Sequence, residues 1–259
     1  MTQLVYDGTF DGFLTSIFEA YEKKLQNFTI VRCTAFQPSL LGGHILVPTD
    51  QGKSLRVWEG LIKKLSRRSR NDVYKSFLSE IPEMEGMLTQ FMTYVFKSSN
   101  NVEADVADRR VLAVTQTARM VHREKHRMEA FIRFQRMKDD VYYAAIAPDF
   151  NVIPLLVGHF KDRYADQHWL IYDKKRNYGI QYDHLSRTVT EVSIQFADEA
   201  SHEFLPESMC HEEEAQYQRL WRDYFYSVNI GQRNNRKLHV QHVPVRYWRY
   251  LTEKQPAER

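Results

Sequence analysis

Arg119, Arg123 and Arg127 stand four residues apart, so on a helix their guanidinium groups share one face. Like charges at that spacing repel, and the planar fork of arginine suits bidentate contact with phosphate. The row fits a bound anion, or else a structural set of ion pairs with Glu124, Glu129 or the acidic residues 198–214. His122 and His126 repeat the spacing, with Glu124 between them. Two histidines one turn apart can chelate zinc, with His159 as a further donor from elsewhere. The metalloprotease pattern, however, sets its glutamate directly after the first histidine, and this sequence does not. Packing or phosphate contact is therefore the preferred reading, and no metal or cofactor is expected. His159 and Arg163, again four apart, can bind a phosphate, orient a base or bond backbone carbonyls near a helix end. Asp173 and Asp183 end successive strands; metal-assisted phosphodiester chemistry needs paired carboxylates, but an aspartate at a strand end is also ordinary turn chemistry.

The C-terminal segment is the second source of candidates. Arg233, Asn234, Asn235, Arg236, Lys237, His239 and His242 are polar donors in a stretch that reads as irregular loop, where recognition usually resides. In Arg246-Tyr247-Trp248-Arg249-Tyr250, Trp248 and Leu251 are expected to pack down, leaving Arg246, Arg249 and Tyr250 outward. Arginine interleaved with aromatics suits phosphate contact plus base stacking, or a basic tail packed on its own domain. Upstream, Tyr217, Leu220, Trp221, Tyr224, Phe225 and Val228 keep helical spacing and read as core.

A further basic stretch covers residues 53–75, yet the net charge of the 259-residue chain is only +3. Such segregation of positive charge is the footprint expected of a polyanion-binding surface. Within that stretch, Leu55, Trp58, Leu61, Ile62 and Leu65 are expected to be buried, while Lys63, Lys64, Arg67 and Arg68 suit the negative end of a helix. Walker loop, G-x-G-x-x-G, C-x-x-C and G-x-S-x-G motifs are all absent.

The elements that must position these residues follow from hydrophobic period and turn signals. A strand at residues 4–6 precedes a helix at 10–25, a second strand lies at 44–47, and helices follow at 53–66, 71–79 and 83–97. A long helix spans 104–127, with Val111, Val114, Ala118 and Val121 as its apolar stripe. It leads into β-rich runs at 128–137 and 141–147, joined by a hairpin at Lys138-Asp139-Asp140. A helix capped by Asp149 or Asn151 runs to about residue 164, followed by strands at 168–172, 178–182 and 188–194. A last amphipathic helix covers 212–228, and Pro244 starts a short one. Strands clustered in one region with helices elsewhere predict an α+β fold. The second half then holds a largely antiparallel sheet packed by helices, after a helical N-terminal portion. Ser98-Ser99-Asn100-Asn101 is the clearest polar break, giving an N-terminal subdomain at 1–100 and an α+β region at 101–259, or one continuous domain. An N-terminus without a basic and then apolar run, the lack of any long apolar stretch, and two cysteines in no metal or redox spacing lead us to expect a cytoplasmic protein with reduced thiols.

Several of these stretches, taken in chain order, resemble a bacterial family labelled "probable DNA metabolism protein". They are Tyr6-Asp7-Gly8-Thr9-Phe10, then His126-Arg127-Met128 with Phe131 and Phe134, then His159-Phe160 with Arg163-Tyr164. Trp169-Leu170-Ile171-Tyr172-Asp173 with Arg176, Leu220-Trp221 with Tyr224, and Gln241 through Pro244 to Arg246-Tyr247-Trp248 complete the set. The resemblance implies a role in DNA repair or modification. It also implies work alongside a radical-SAM protein that carries a DNA-binding helix-hairpin-helix, or, in some members, fusion to a uracil-DNA-glycosylase-like domain. It carries over no catalytic residue, and base excision is expected to need a separate polypeptide.

The leading expectation is a DNA-binding accessory protein. Its contacts are expected from Arg119, Arg123, His126, Arg127, His159, Arg163, Arg233, Arg236, Lys237, Arg246 and Arg249, with Tyr250 as a stacker. Two alternatives stay open: a nucleic-acid-processing enzyme using His126, His159, Asp173 or Asp183, and a scaffold whose basic surface meets an acidic protein.

Overall fold

Leu4, Val5 and Tyr6 are apolar in succession, the pattern of a strand covered on both faces, and all three are buried. In the computed structural model, which describes residues 1–38, 42–194, 204–228 and 235–255, they belong to β1 (Thr2–Tyr6). β1 lies between β2 (Phe28–Arg32) and β3 (His44–Leu46) in a parallel three-stranded sheet. Parallel neighbours need a crossover, and α1 (Phe10–Glu22) supplies the one from β1 to β2. The motif between them is a cap. Asp7 accepts hydrogen bonds from the Thr9 amide and hydroxyl, Thr49 donates to its other oxygen, and the Thr9 hydroxyl accepts from the Gly12 amide. A Cβ on Gly12 would collide with the Asp7 carboxylate, so the close approach requires glycine. β2 is absent from the sequence reading because Phe28-Thr29-Ile30-Val31-Arg32 is short and has only one fully buried residue.

Three helices follow: α2 (Gln51–Lys64), α3 (Arg67–Phe77) and α4 (Met84–Lys97), capped in α2 and α3 by Asp50 and Ser66. Their core residues include Val57, Leu61, Val73, Leu88 and Met92. Leu55 and Ile62, expected in that core, are exposed; the buried face of α2 is rotated to Ser54, Val57 and Leu61. Much of the basic stretch is engaged locally. Lys53 pairs with Glu19 and Glu22, and the Lys64 ammonium donates to the Phe96 and Ser98 carbonyls.

α5 (Arg109–Phe131) buries Val111, Val114, Ala118 and Val121 as its pattern demands. It extends past the expected end. Residues 128–131, read as strand, are helical, because Met, Glu and Ala favour a helix and Met128 continues the buried stripe. The chain divides into two compact units, Met1–His122 and Arg123–Arg259, and the division falls inside α5. The polar break at 98–101 lies within the first unit.

The second unit holds a sheet in the order β4 (Gln135–Arg136), β5 (Tyr142–Ile146), β6 (Trp169–Asp173), β7 (Tyr178–Asp183) and β8 (Thr188–Val192). All neighbours are antiparallel except β5 and β6, which α6 (Ile153–Arg163) connects. The fold is α+β, with a mostly antiparallel sheet and helices around it. Phe160 of α6 packs on Trp169, which stacks with Tyr182, while Tyr172, on the other face of β6, clusters with Tyr143 and Ala145. Neither Asp149 nor Asn151 caps α6; Asn151 accepts from the Tyr178 hydroxyl, and Asp149 pairs elsewhere. α7 (Glu214–Ser227) and α8 (Arg236–His242) precede single 3-10 segments at Val245–Tyr250 and Thr252–Lys254. Residues 236–242, expected as loop, are helical because the Asn235 side chain caps them through the Leu238 amide. No helix among the described residues is long and apolar enough to cross a membrane.

Candidate nucleic-acid interface

Two carboxylates on α5 organise much of what the sequence singled out in the second unit. Glu124 is 1% exposed. It accepts from the Asp149 amide (2.9 Å), from Arg246 (3.2 Å) and from the Tyr247 hydroxyl, and Arg127 lies 3.7 Å away. Arg246 also reaches the Asp149 carboxylate at 2.8 Å. Burial disfavours the charge of Arg246, but the Tyr247 hydroxyl and the Glu124 and Asp149 carboxylates outweigh it and hold the guanidinium above its ordinary value. Burial, reinforced by Glu124, pushes the Tyr247 phenol up. A buried carboxylate must be paired, and Glu124 recruits Arg127 and Arg246 for that purpose. Both guanidinium groups thus serve the fold through Glu124, while 44% of the Arg246 side chain stays exposed.

Glu129, one turn further on, faces Lys125, His126 Nδ1 (3.6 Å) and His159 Nδ1 (3.4 Å). His126 is 81% exposed in its side chain, whereas His159 is half-buried. The structure thus brings His126 and His159 together through one carboxylate, although they are 33 positions apart by number (159 − 126).

The other sequence candidates are dispersed. Arg119 is exposed in the first unit, in the field of Asp72 together with Arg68, Lys75 and His122. Arg123, Arg163, Arg236 and Lys237 are exposed and have no ion-pair partner among the described residues. Arg249 is exposed, with its guanidinium 5.1 Å from the Tyr250 ring. Tyr250 itself is 8% exposed and packs with Tyr143, Ala145 and Tyr172, so it is a core residue and not an outward stacker. Arg233 lies outside the described residues.

Asp173 and Asp183 do not form a carboxylate pair. In the β6–β7 ladder Asp173 faces Tyr178, and Asp183 is five residues further along β7, which separates them by roughly 17 Å of strand. Asp173 is fully buried, where burial pushes its carboxyl up against the opposing Arg176, 2.8 Å away. Asp183 closes a turn through the Leu185 amide and Ser186 hydroxyl.

The site that sequence reasoning missed is an aromatic cleft of about 800 Å³ in the second unit. Its rings are Phe134, Tyr142, Tyr164, Tyr217, Trp221 and Tyr224. The α7 stripe, read as core, is instead largely uncovered: Tyr217 is 56%, Leu220 55%, Trp221 40% and Tyr224 58% exposed. α7 is nonetheless firmly held. The Arg136 amide donates to Glu214, the His211 amide donates to the Arg136 carbonyl, and the Trp221 indole donates to Glu253. Arg133 makes a two-pronged pair with Glu253 and lies 5.3 Å from the Trp221 ring centre. Burial alone would raise Glu253, yet Arg133 and the Trp221 indole outweigh it and hold the carboxyl below its ordinary value. Arg136 pairs with Asp140 and Glu213 at the wall. Beside Tyr164, Arg163 places its guanidinium 5.8 Å from that ring. The missed signal was the ring type: the three rings that α7 gives the cleft are two tyrosines and a tryptophan, whose polar tips suit a half-wet surface better than a closed core.

A family model described as a domain of unknown function, DUF4130, matches residues 82–253. The chain belongs to that family. The match takes in Glu124, Glu129 and every ring of the cleft, and it leaves out β1 to β3 and the basic stretch at 53–75. No curated protein matches the chain.

Proposed function

We propose that this protein is a DNA-binding accessory factor of DNA repair or modification that holds unstacked bases in the aromatic cleft and presents the strand to a partner enzyme. The cleft carries the reading: six rings beside Arg133, Arg136 and Arg163 form the mixture of stacking faces and cations that suits single-stranded or extruded bases. Its volume falls in the range of small-ligand sites, which is enough for a nucleobase with its sugar. Among the described residues, the exposed cations Arg123, Arg163, Arg236, Lys237 and Arg249 of the second unit are available for phosphate. A radical-SAM protein, implied by the sequence resemblance, is the partner this reading favours. Anisotropy titrations of labelled single-stranded and duplex DNA against salt test it. Single strands bind more tightly, and log affinity falls linearly with log salt. Equal, salt-insensitive binding of both, or preference for an acidic protein, removes it.

A second reading, a nucleic-acid-processing enzyme, is favoured by one observation: His126 and His159 share Glu129, a cluster competent for proton transfer. It requires turnover of a damaged or modified oligonucleotide by the isolated protein, abolished by His159→Ala. Activity only in the presence of the radical-SAM partner assigns the chemistry to that partner.

A further inference from the structure

Ladder register gathers a set of donors at one end of β6 and β7 in the second sheet, among residues with no part in the cleft. Trp169 of β6 pairs with Tyr182 of β7, so the next residues outward, His168 and Asp183, face each other, and His184 follows in the turn to β8. His168 Nδ1 lies 3.3 Å from Asp183 Oδ1. The two imidazole centroids are 4.1 Å apart, inclined at 62°. One donor atom from each of the three residues lies within 4.8 Å of the others, and all three residues are half-buried.

His184 Nδ1 is buried without a hydrogen-bond partner among the described residues. Leaving such a nitrogen unpaired costs free energy that a bound cation would recover. Asp183 is already oriented, because Oδ1 accepts from the Leu185 amide and Oδ2 from the Ser186 hydroxyl, each at 2.9 Å. Each carboxylate oxygen keeps a further lone pair, and bonds of this sort fix metal ligands in place. Two imidazoles and one carboxylate are the donor set of first-row divalent metals, and strand ends hold them more rigidly than a loop would.

We propose that His168, Asp183 and His184 bind a divalent transition metal of the zinc class. Three protein ligands leave a coordination position open to water or to an external ligand. The site is independent of the DNA-binding reading and stands or falls without it.

The test is a Zn²⁺ titration of the full chain, stripped of metal beforehand, in competition with a chromogenic chelator. The site requires one tightly bound Zn²⁺ per chain. His168→Ala and His184→Ala must each weaken it by at least about 100-fold with the circular dichroism unchanged. The His122→Ala/His126→Ala double variant, which removes the exposed α5 pair, must leave it intact. Should an alanine variant fail to fold, imidazole NMR of the wild type reads the same question: resonances of His168 and His184 shift together on adding Zn²⁺. Absence of Zn²⁺ binding below about 100 µM overturns the proposal. So does undiminished binding in His168→Ala, or a response confined to His122 and His126.

Discussion

Two regions of the second unit treat their functional-looking side chains in opposite ways. Around Glu124, arginines from α5 and the C-terminal 3-10 segment converge on one buried carboxylate, so charge that looks unpartnered in the sequence also serves the fold. At the cleft, rings of α7 that look like core remain largely exposed, while their own helix is anchored through Glu214 and Glu253. The lesson is about desolvation. A buried charge must be matched whatever its neighbours' apparent roles, and a stiff aromatic surface left uncovered marks a place where something else binds.

That contrast can be broken at its strongest point first. Glu124→Ala leaves Arg246, Arg127 and the Tyr247 hydroxyl without their shared acceptor. It is expected to cost about 3 kcal/mol in urea unfolding, the low end for a broken buried pair because Arg246 is partly exposed. A loss below about 1 kcal/mol would mean that the node is not a structural element. Tyr217→Ala combined with Tyr224→Ala should behave in the reverse manner. Stability stays within about 1 kcal/mol of the wild type, whereas single-stranded DNA affinity drops by about 1–3 kcal/mol per stacked base. Unchanged affinity in that double variant contradicts a stacking role.

Glu253→Gln sharpens the anchoring half of the comparison through pH. The folded carboxyl is held below its ordinary value of 4.5, so its stabilising contribution is present above that value and fades as pH falls through the folded one. The stability gap between wild type and variant should therefore be widest near neutrality and close on acidification; a gap that persists at low pH rules out the Arg133 pairing as its source. The smallest effect separates the two classes of arginine. Arg123→Gln and Arg163→Gln should each reduce the salt slope of DNA binding by about 1, while Arg127→Gln leaves it unchanged.

Sequence pattern was a good guide wherever one period dominated. The α5 stripe at Val111, Val114, Ala118 and Val121, the hairpin at Lys138-Asp139-Asp140 and the three-stranded run from Trp169 onward are all where period and turn chemistry place them. Misreadings arose where tertiary partners decide. Residues 128–131 satisfy both helix and strand patterns, and continuity with α5 selects helix. Spacing alone put the α7 rings and Tyr250 on the wrong sides of the surface. A helical stripe shows which residues share a face, but not whether anything covers that face. The pairing of Arg127 with Glu124 was legible as a local alternative, three residues apart, whereas that of Arg246 with Glu124 joins residues far apart in the chain and only the fold reveals it.

Photo-crosslinking bears most directly on the cleft. A single-stranded oligonucleotide carrying 5-iodouracil is irradiated with the wild-type protein, and the adducts are mapped by mass spectrometry. The account requires adducts on Tyr217, Trp221 or Tyr224, lost on competition with unlabelled single strands. Adducts confined to residues 53–75, or none under conditions where the DNA is bound, would contradict it.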